Sequence, residues 1–215
     1  MRRIYLLPVL FLLILSGCIK EYVSGSGAIV SENRNINGTF TAIQVKGSIN
    51  VQLKQGDSTK VVVKDYENLL LYLETRLVGN TLIIEYNDAW VNRSAGQVTL
   101  TVPRIVDIDV SGNSNIGTVG NFNFTDLSIN ISGSSDMFLA GSAKNMNVKI
   151  SGSGDIRAFE MPADSVKMTI SGSGSGQLNV RKLLDVNISG SGDLIYKGDP
   201  SVSSRVTGSG RVRRF

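Results

Sequence analysis

Apolar and polar residues alternate with a period of two along most of this chain. Met146, Val148 and Ile150 are separated by Asn147 and Lys149; Val166, Met168 and Ile170 by Lys167 and Thr169; Leu184, Val186 and Ile188 by Asp185 and Asn187. Such alternation predicts strands with one buried face. Each run closes on the same short motif: Val110-Ser111-Gly112-Asn113, Ile131-Ser132-Gly133-Ser134, Ile150-Ser151-Gly152-Ser153, Ile170-Ser171-Gly172-Ser173, Ile188-Ser189-Gly190-Ser191 and Val206-Thr207-Gly208-Ser209. The Ser or Thr positions are 21, 19, 20, 18 and 18 residues apart. Five residues further on stand Ile116, Met137, Ile156, Leu194 and Val212, the expected inward positions of a second short strand. Gly176 holds that place in the fourth copy, where Leu178 is expected to do the packing.

Each unit therefore reads as strand, Ser-Gly bend, strand and turn. Two strands in about 20 residues cannot bury their own apolar face, whereas stacked copies can. The predicted fold is all-β, a right-handed parallel β-helix or β-solenoid, with an irregular β-rich N-terminal part. Six rungs at ~4.8 Å would make a prism ~25–30 Å long. An antiparallel sandwich is the rival, disfavoured because equal copies of one unit predict equal rungs.

The first half is less regular. Ile43 to Leu53 alternates strictly and reads as an early, degenerate rung bent at Gly47-Ser48. Val61-Val62-Val63 predicts a buried strand, and residues 68–74 fit either a helical turn or a strand. Leu77 to Ile84 predicts a hairpin about Gly79-Asn80. Residues 87–97, with Trp90, read as the longest polar loop, and Val98 to Val102 as a strand ended by Pro103. No linker-like stretch divides the chain. The expected organisation is one domain over residues 31–215, irregular over 31–104 and built of about six rungs over 105–215.

The N-terminus changes the picture. Arg2-Arg3 precedes an apolar run from Ile4 to Leu15, too short for a membrane span of ~20 residues. Leu15-Ser16-Gly17-Cys18 resembles the lipobox of bacterial lipoproteins. The resemblance implies that residues 1–17 are a signal peptide, that Cys18 is lipidated, and that residues 18–30 are a lipidated N-terminus and tether. Anchoring through two or more acyl chains is stable where one is not. Ile19 in place of Asp favours the outer membrane by the same resemblance, and Lys20-Glu21 loosely resembles a surface-export signal. The expected location is the cell envelope, lipid-anchored, with surface exposure open.

Composition mainly excludes. There are 23 Gly and only 4 Pro, so the turns rely on glycine. There is no His, which removes Ser-His-Asp and Cys-His catalysis and every His-ligated metal site. Cys18 is the single cysteine, so no intramolecular disulfide forms. The net charge of +4 falls to about +2 once Arg2 and Arg3 leave with the signal, 20 basic residues against 18 acidic. No concentrated basic footprint remains, so no nucleic-acid partner is expected.

Several segments in order carry a family resemblance: Gly25-Ser26-Gly27, Phe40 to Val45, Val51 to Asp57, Asn68-Leu69-Leu70, Gly79 to Ile84 and the repeated Ser-Gly bends. Together they resemble the "putative auto-transporter adhesin head GIN domain" family over nearly the whole mature chain. The resemblance implies an all-β, β-helical domain, commonly on lipoproteins, with adhesion as its expected role. It supplies no catalytic residue to carry over.

One column has enzyme-like chemistry. Four residues after each motif Ser/Thr stand Asn115, Asp136, Asp155, Ser175, Asp193 and Arg211. Asp136 and Asp155 would lie ~5 Å apart on adjacent rungs, about the spacing of the two carboxyls of a retaining glycosidase. The same pair has the donor type for Ca²⁺, and equally suits acids that end an exposed bend. Trp90, near Tyr86, suits either sugar stacking or a packing cap, and Arg211 to Phe215 either an anionic surface or a charged end cap. The leading expectation is a non-enzymatic, cofactor-free module binding a glycan, matrix or surface protein through Asp136, Asp155, Asp193 and Trp90. The alternatives are a polysaccharide-active enzyme and a purely structural envelope lipoprotein.

Overall fold

The computed structural model describes residues 21–215, so Cys18 and the signal segment lie outside the described residues. The front of the chain supplies β1 (Glu21–Ser24), β2 (Ile29–Arg34), β3 (Ala42–Gly47), β4 (Asn50–Gln55), β5 (Lys60–Tyr66), β6 (Leu73–Val78), β7 (Thr81–Tyr86), β8 (Ala89–Asn92) and β9 (Gln97–Val102). The repeats supply β10 (Asp107–Gly112), β11 (Asn115–Thr118), β12 (Phe122–Gly133), β13 (Asp136–Phe138), β14 (Gly141–Gly152), β15 (Ile156–Gly172), β16 (Gly176–Gly190), β17 (Asp193–Lys197), β18 (Ser201–Gly208) and β19 (Arg211–Arg214). β1 and β8 pair only with each other, and every other strand joins one continuous sheet that winds into a β-solenoid.

One face stacks β7, β3, β10, β12, β14, β15, β16 and β18, each parallel to the next. A second face stacks β9, β4, β11, β13, the starts of β15 and β16, then β17 and β19. The stacking order departs from the chain order in one place. The rung of β3 and β4 sits between that of β7 and β9 and that of β10 and β11. The early rung expected from Ile43 to Leu53 is therefore a full member of the solenoid, with Gly47 in register with Gly112.

The core follows from the alternation. Val45, Val110, Ile131, Ile150, Ile170 and Ile188 stack in register and are all buried, as are Ile116, Met137, Ile156 and Leu194 in the second column. Burying an aliphatic side chain of this size stabilises by roughly 1.5–3 kcal/mol. At Gly176 a Cβ would meet the end of the Met168 side chain, so Met168 fills the space that the missing side chain leaves, and Leu178 packs one step further on.

The bends set the tightest condition. Gly112, Gly133, Gly152, Gly172, Gly190 and Gly208 all have φ between +122° and +133°. A Cβ on any of them would press into the carbonyl oxygen of the glycine on the preceding rung. Only a residue without Cβ satisfies both conditions. Just beyond the bend, the buried Ser114 hydroxyl donates to the Gly47 carbonyl (3.1 Å) and accepts from the Ile49 N–H (3.1 Å); Ser135 repeats this one rung on, donating to the Gly112 carbonyl at 3.2 Å. Later copies carry Gly154, Gly174, Gly192 and Gly210 at that position, packed directly on the rung before.

The two ends differ. At the front, β6 runs antiparallel on β7, β5 on β9, and β2 on β5, closing the stack with reversed strands. At the rear, β18 and β19 are the last rung, and Val202 and Val206 are 41% and 38% exposed. The Gly79-Asn80 hairpin forms as expected, with Val78 opposite Thr81. Residues 68–74 resolve into a helical turn, Leu70 N–H to Tyr66 O and Leu73 N–H to Leu69 O, followed by β6. Two expectations change: Ala89–Asn92 inside the supposed polar loop is a strand, and Glu21–Ser24 inside the supposed tether is its parallel partner. Neither segment has a strong apolar alternation, because this small sheet buries little on either face.

Gly152→Ala should lower unfolding stability by about 3–5 kcal/mol, the sum of positive-φ strain and overlap with the rung below. Gly47→Ala, at φ +91° with open space at its Cβ, should cost only about 1–2 kcal/mol. Urea unfolding of the two variants checks this, and equal losses would contradict it.

Candidate functional site

The acids singled out by sequence lie where the repeat places them, on the outer side of the second face. Asn115 stands in register with Asp136, and Asp193 with Arg211. Their carboxylates are engaged with the backbone. Asp136 Oδ1 accepts from the Asp155 N–H (3.3 Å), Asp155 Oδ1 from the Ser175 N–H (3.0 Å), and Asp193 Oδ1 from the Arg211 N–H (2.8 Å). Asn50 begins the same ladder, accepting from the Asn115 N–H at 3.1 Å. Each side chain thus satisfies a main-chain donor just past the bend, where the strand ladder is interrupted. Asp155 also lies 3.5 Å from the Arg157 guanidinium.

Two residues along each strand, the same outward face carries a second column: Phe138, Arg157, Gln177, Ile195 and Arg213, in register. The Arg157 guanidinium sits over the Phe138 ring at 4.8 Å. Further along, Lys197 Nζ lies 4.3 Å from the Phe159 ring centre and 4.9 Å from that of Phe215, whose rings meet edge to face at 5.4 Å. A shallow pocket of about 340 Å³ opens here between Phe138, Arg157, Phe159 and Gln177. Phe138, Arg157, Phe159 and Lys197 were not singled out from sequence, whereas Arg213 and Phe215 belong to the 211–215 end that was. The signal was available at the sixth and eighth residues after the motif Ser/Thr, which alternation puts on the same side as the acids.

Trp90 does not join this face. It lies at the front, in β8, and lines a pocket of about 360 Å³ with Lys46, Gly47, Ser48, Glu85 and Tyr86. Burial alone would raise the Glu85 carboxyl, but hydrogen bonds and charge from Arg76 (2.8 Å) and Lys46 (3.0 Å) outweigh it and hold Glu85 below the usual range. Next to it, burial and a short hydrogen bond to Asp65 push the Tyr86 hydroxyl well above the usual tyrosine value. Asp65 is fully buried and also accepts from the Tyr66 and Ala95 N–H groups, both at 2.8 Å, so it pins the segment between β8 and β9.

A third feature runs along the solenoid axis on the first face. A groove of about 590 Å³ has Leu127, Met146, Val166 and Leu184 along its floor and Asn145 and Lys167 among its walls. Its lining reaches from Val106 to Ser203, five rung spacings or ~24 Å.

The sequence model of one protein family, described as "putative auto-transporter adhesin, head GIN domain", matches residues 39–200. Among solved structures, the chain is similar to a putative adhesin from Bacteroides fragilis (TM-score 0.73, 20% identity, 90% of this chain and 100% of that one). It is also similar to a putative lipid binding protein from Parabacteroides distasonis (TM-score 0.54, 23% identity, 91% and 100%) and a putative adhesin from Parabacteroides merdae (TM-score 0.52, 22% identity, 91% and 99%). At these identities the likeness establishes the shared fold. Nothing among curated proteins matches.

Glu85 gives a pH prediction. Its folded value lies below its unfolded one, so its contribution is complete above the ordinary carboxylate range and is lost as pH falls through the lowered folded value. Urea midpoints measured from about pH 6 down to pH 3 should fall less steeply in Glu85→Gln than in the parent. Parallel profiles would remove Glu85 as a source of acid sensitivity.

Proposed function

Because the chain belongs to the putative auto-transporter adhesin head GIN domain family, we propose that it is a non-enzymatic, lipid-anchored binding module of the cell envelope that presents the outer second face of its solenoid to a glycan. The observation that carries this reading is the row of Phe138, Phe159 and Phe215 beside Arg157 and Lys197, on the face that also displays Asp136, Asp155 and Asp193. Aromatic rings offer platforms for the apolar faces of sugar rings. The neighbouring carboxylates, guanidinium and amide supply the hydrogen bonds that fix orientation. A flat surface that repeats every ~4.8 Å suits an extended polymer better than a single small molecule. The proposed anchor is diacylglycerol on Cys18, in the outer membrane with the solenoid facing outward.

The carboxylate ladder weighs against the glycosidase alternative. A glycosidase needs one carboxyl free to protonate a leaving group, whereas Asp136 and Asp155 each hold a backbone N–H. If hydrolysis of any polysaccharide is found, and Asp136→Asn abolishes it with the fold intact, the enzyme reading replaces this one.

The direct test is a glycan and matrix panel probed with the folded protein and with Phe138→Ser. Phe138 is 44% exposed, so the substitution should leave the melting temperature nearly unchanged. Binding to the captured ligand should fall about tenfold or more, the usual loss at an aromatic anchor. Undiminished binding would move the site elsewhere. Protease shaving of intact cells carrying a C-terminal tag should remove the tag while a periplasmic control survives; survival of the tag would refute outward display.

A further inference from the structure

We infer that the front end of the solenoid is a membrane-contacting surface, with Tyr22 and Trp90 at the headgroup level of the bilayer that holds Cys18. This rests on the lipid anchor proposed above. Cys18 stands three residues before Glu21, the first residue of β1, so the connecting backbone spans at most about 10 Å. The polar layer of one leaflet is about 5–8 Å deep. The distance from the acylated residue to folded protein is thus on the scale of the headgroups themselves.

β1 is not a loose leader that could lengthen this reach. The Glu21 N–H donates to the Asp88 carbonyl (3.3 Å) and the Gly25 N–H to the Asn92 carbonyl (3.0 Å), at either end of the pairing with β8. The Tyr72 hydroxyl donates to the Glu21 carboxylate at 3.1 Å. Asn68 closes the other end, donating to the Ser24 carbonyl (2.9 Å) and accepting from the Ser26 N–H (2.8 Å). Fixing Cys18 in a leaflet therefore fixes the whole front cap against it.

The residues brought there have the right chemistry. Tyr22 and Trp90 are register partners in a parallel pair, which puts their side chains on the same side of the small sheet. They are 74% and 64% exposed. Leu71, in the turn beside Tyr72, is 88% exposed. Tyr and Trp are the side chains enriched where membranes meet water, and a large aliphatic group is stabilised at the same depth. The opposite end of the stack carries Arg205, Arg211, Arg213 and Arg214 on the last rung, and its exposed aromatic, Phe215, packs edge to face on Phe159 beside Lys197. The front end is thus the one that the tether length directs to the bilayer, and Tyr22, Trp90 and Leu71 are the large side chains exposed on it.

Trp90 is the only tryptophan in the chain, so its intrinsic fluorescence reports this surface alone. The test uses the acylated full-length mature protein reconstituted into phosphatidylethanolamine/phosphatidylglycerol vesicles, with lipids brominated at different depths. The expected result is a blue shift of Trp90 emission on reconstitution, and quenching that is strongest for bromine near the top of the acyl chains. A Cys18→Ser protein should leave the vesicles and lose the quenching. If the acylated protein partitions into vesicles but Trp90 stays open to aqueous iodide and untouched by brominated lipid, the contact surface is overturned while the anchor stands. If the mature protein carries no acyl chain and does not partition, both readings fail together.

Discussion

A backbone carbonyl with no room above it for a methyl group governs this fold. At every motif bend the chain reverses direction at positive φ and lies directly on the bend below, so the rungs can stack in register only if each of those residues is glycine. The in-register valine and isoleucine columns depend on that closeness. So does the carboxylate ladder, since an aspartate side chain reaches the next rung's N–H only when the bends superimpose. Hydrophobic burial supplies most of the stabilisation, but the glycines decide which residues meet.

The solenoid body was readable because its rule is local. Two-residue alternation followed by Ser-Gly specifies a strand, a bend and the side each residue faces, so Ile116, Met137, Ile156 and Leu194 could be placed inside without knowing their neighbours. Gly47 was readable for the same reason. What could not be read was pairing set by distant segments. Nothing local to Glu21–Ser24 or Ala89–Asn92 says that they meet, and nothing in Ala42–Gln55 says that it will lie between two later rungs. The Asp column was found, but its use in holding backbone N–H groups depends on register between rungs. Phe138 and Arg157 were legible in principle, two positions along the same strands. Neither marks a site within its own copy, because Phe138 and Arg157 become neighbours only through the register of β13 with β15.

The two ends of the stack and its long face have different work to do. Reversed strands and the buried Asp65–Tyr86 pair close the front, where the chain enters. The second face is regular, polar and aromatic, and it repeats at a fixed spacing. The rear carries its arginines on the last rung, where charge discourages another strand from adding to the open edge.

The displaced rung has a consequence for how the chain acquires its structure. Residues 42–55 need strands from 81–102 on one side and 107–118 on the other before they can pair on both edges. A chain delivered N-terminus first therefore cannot complete its front until more than half its length is available. The later copies, by contrast, each need only the neighbour about twenty residues away. The C-terminal repeats pair at low loop-closure cost, whereas the front closes only around distant segments. The early segment is therefore the part of the fold whose two edges find their partners latest as the chain lengthens.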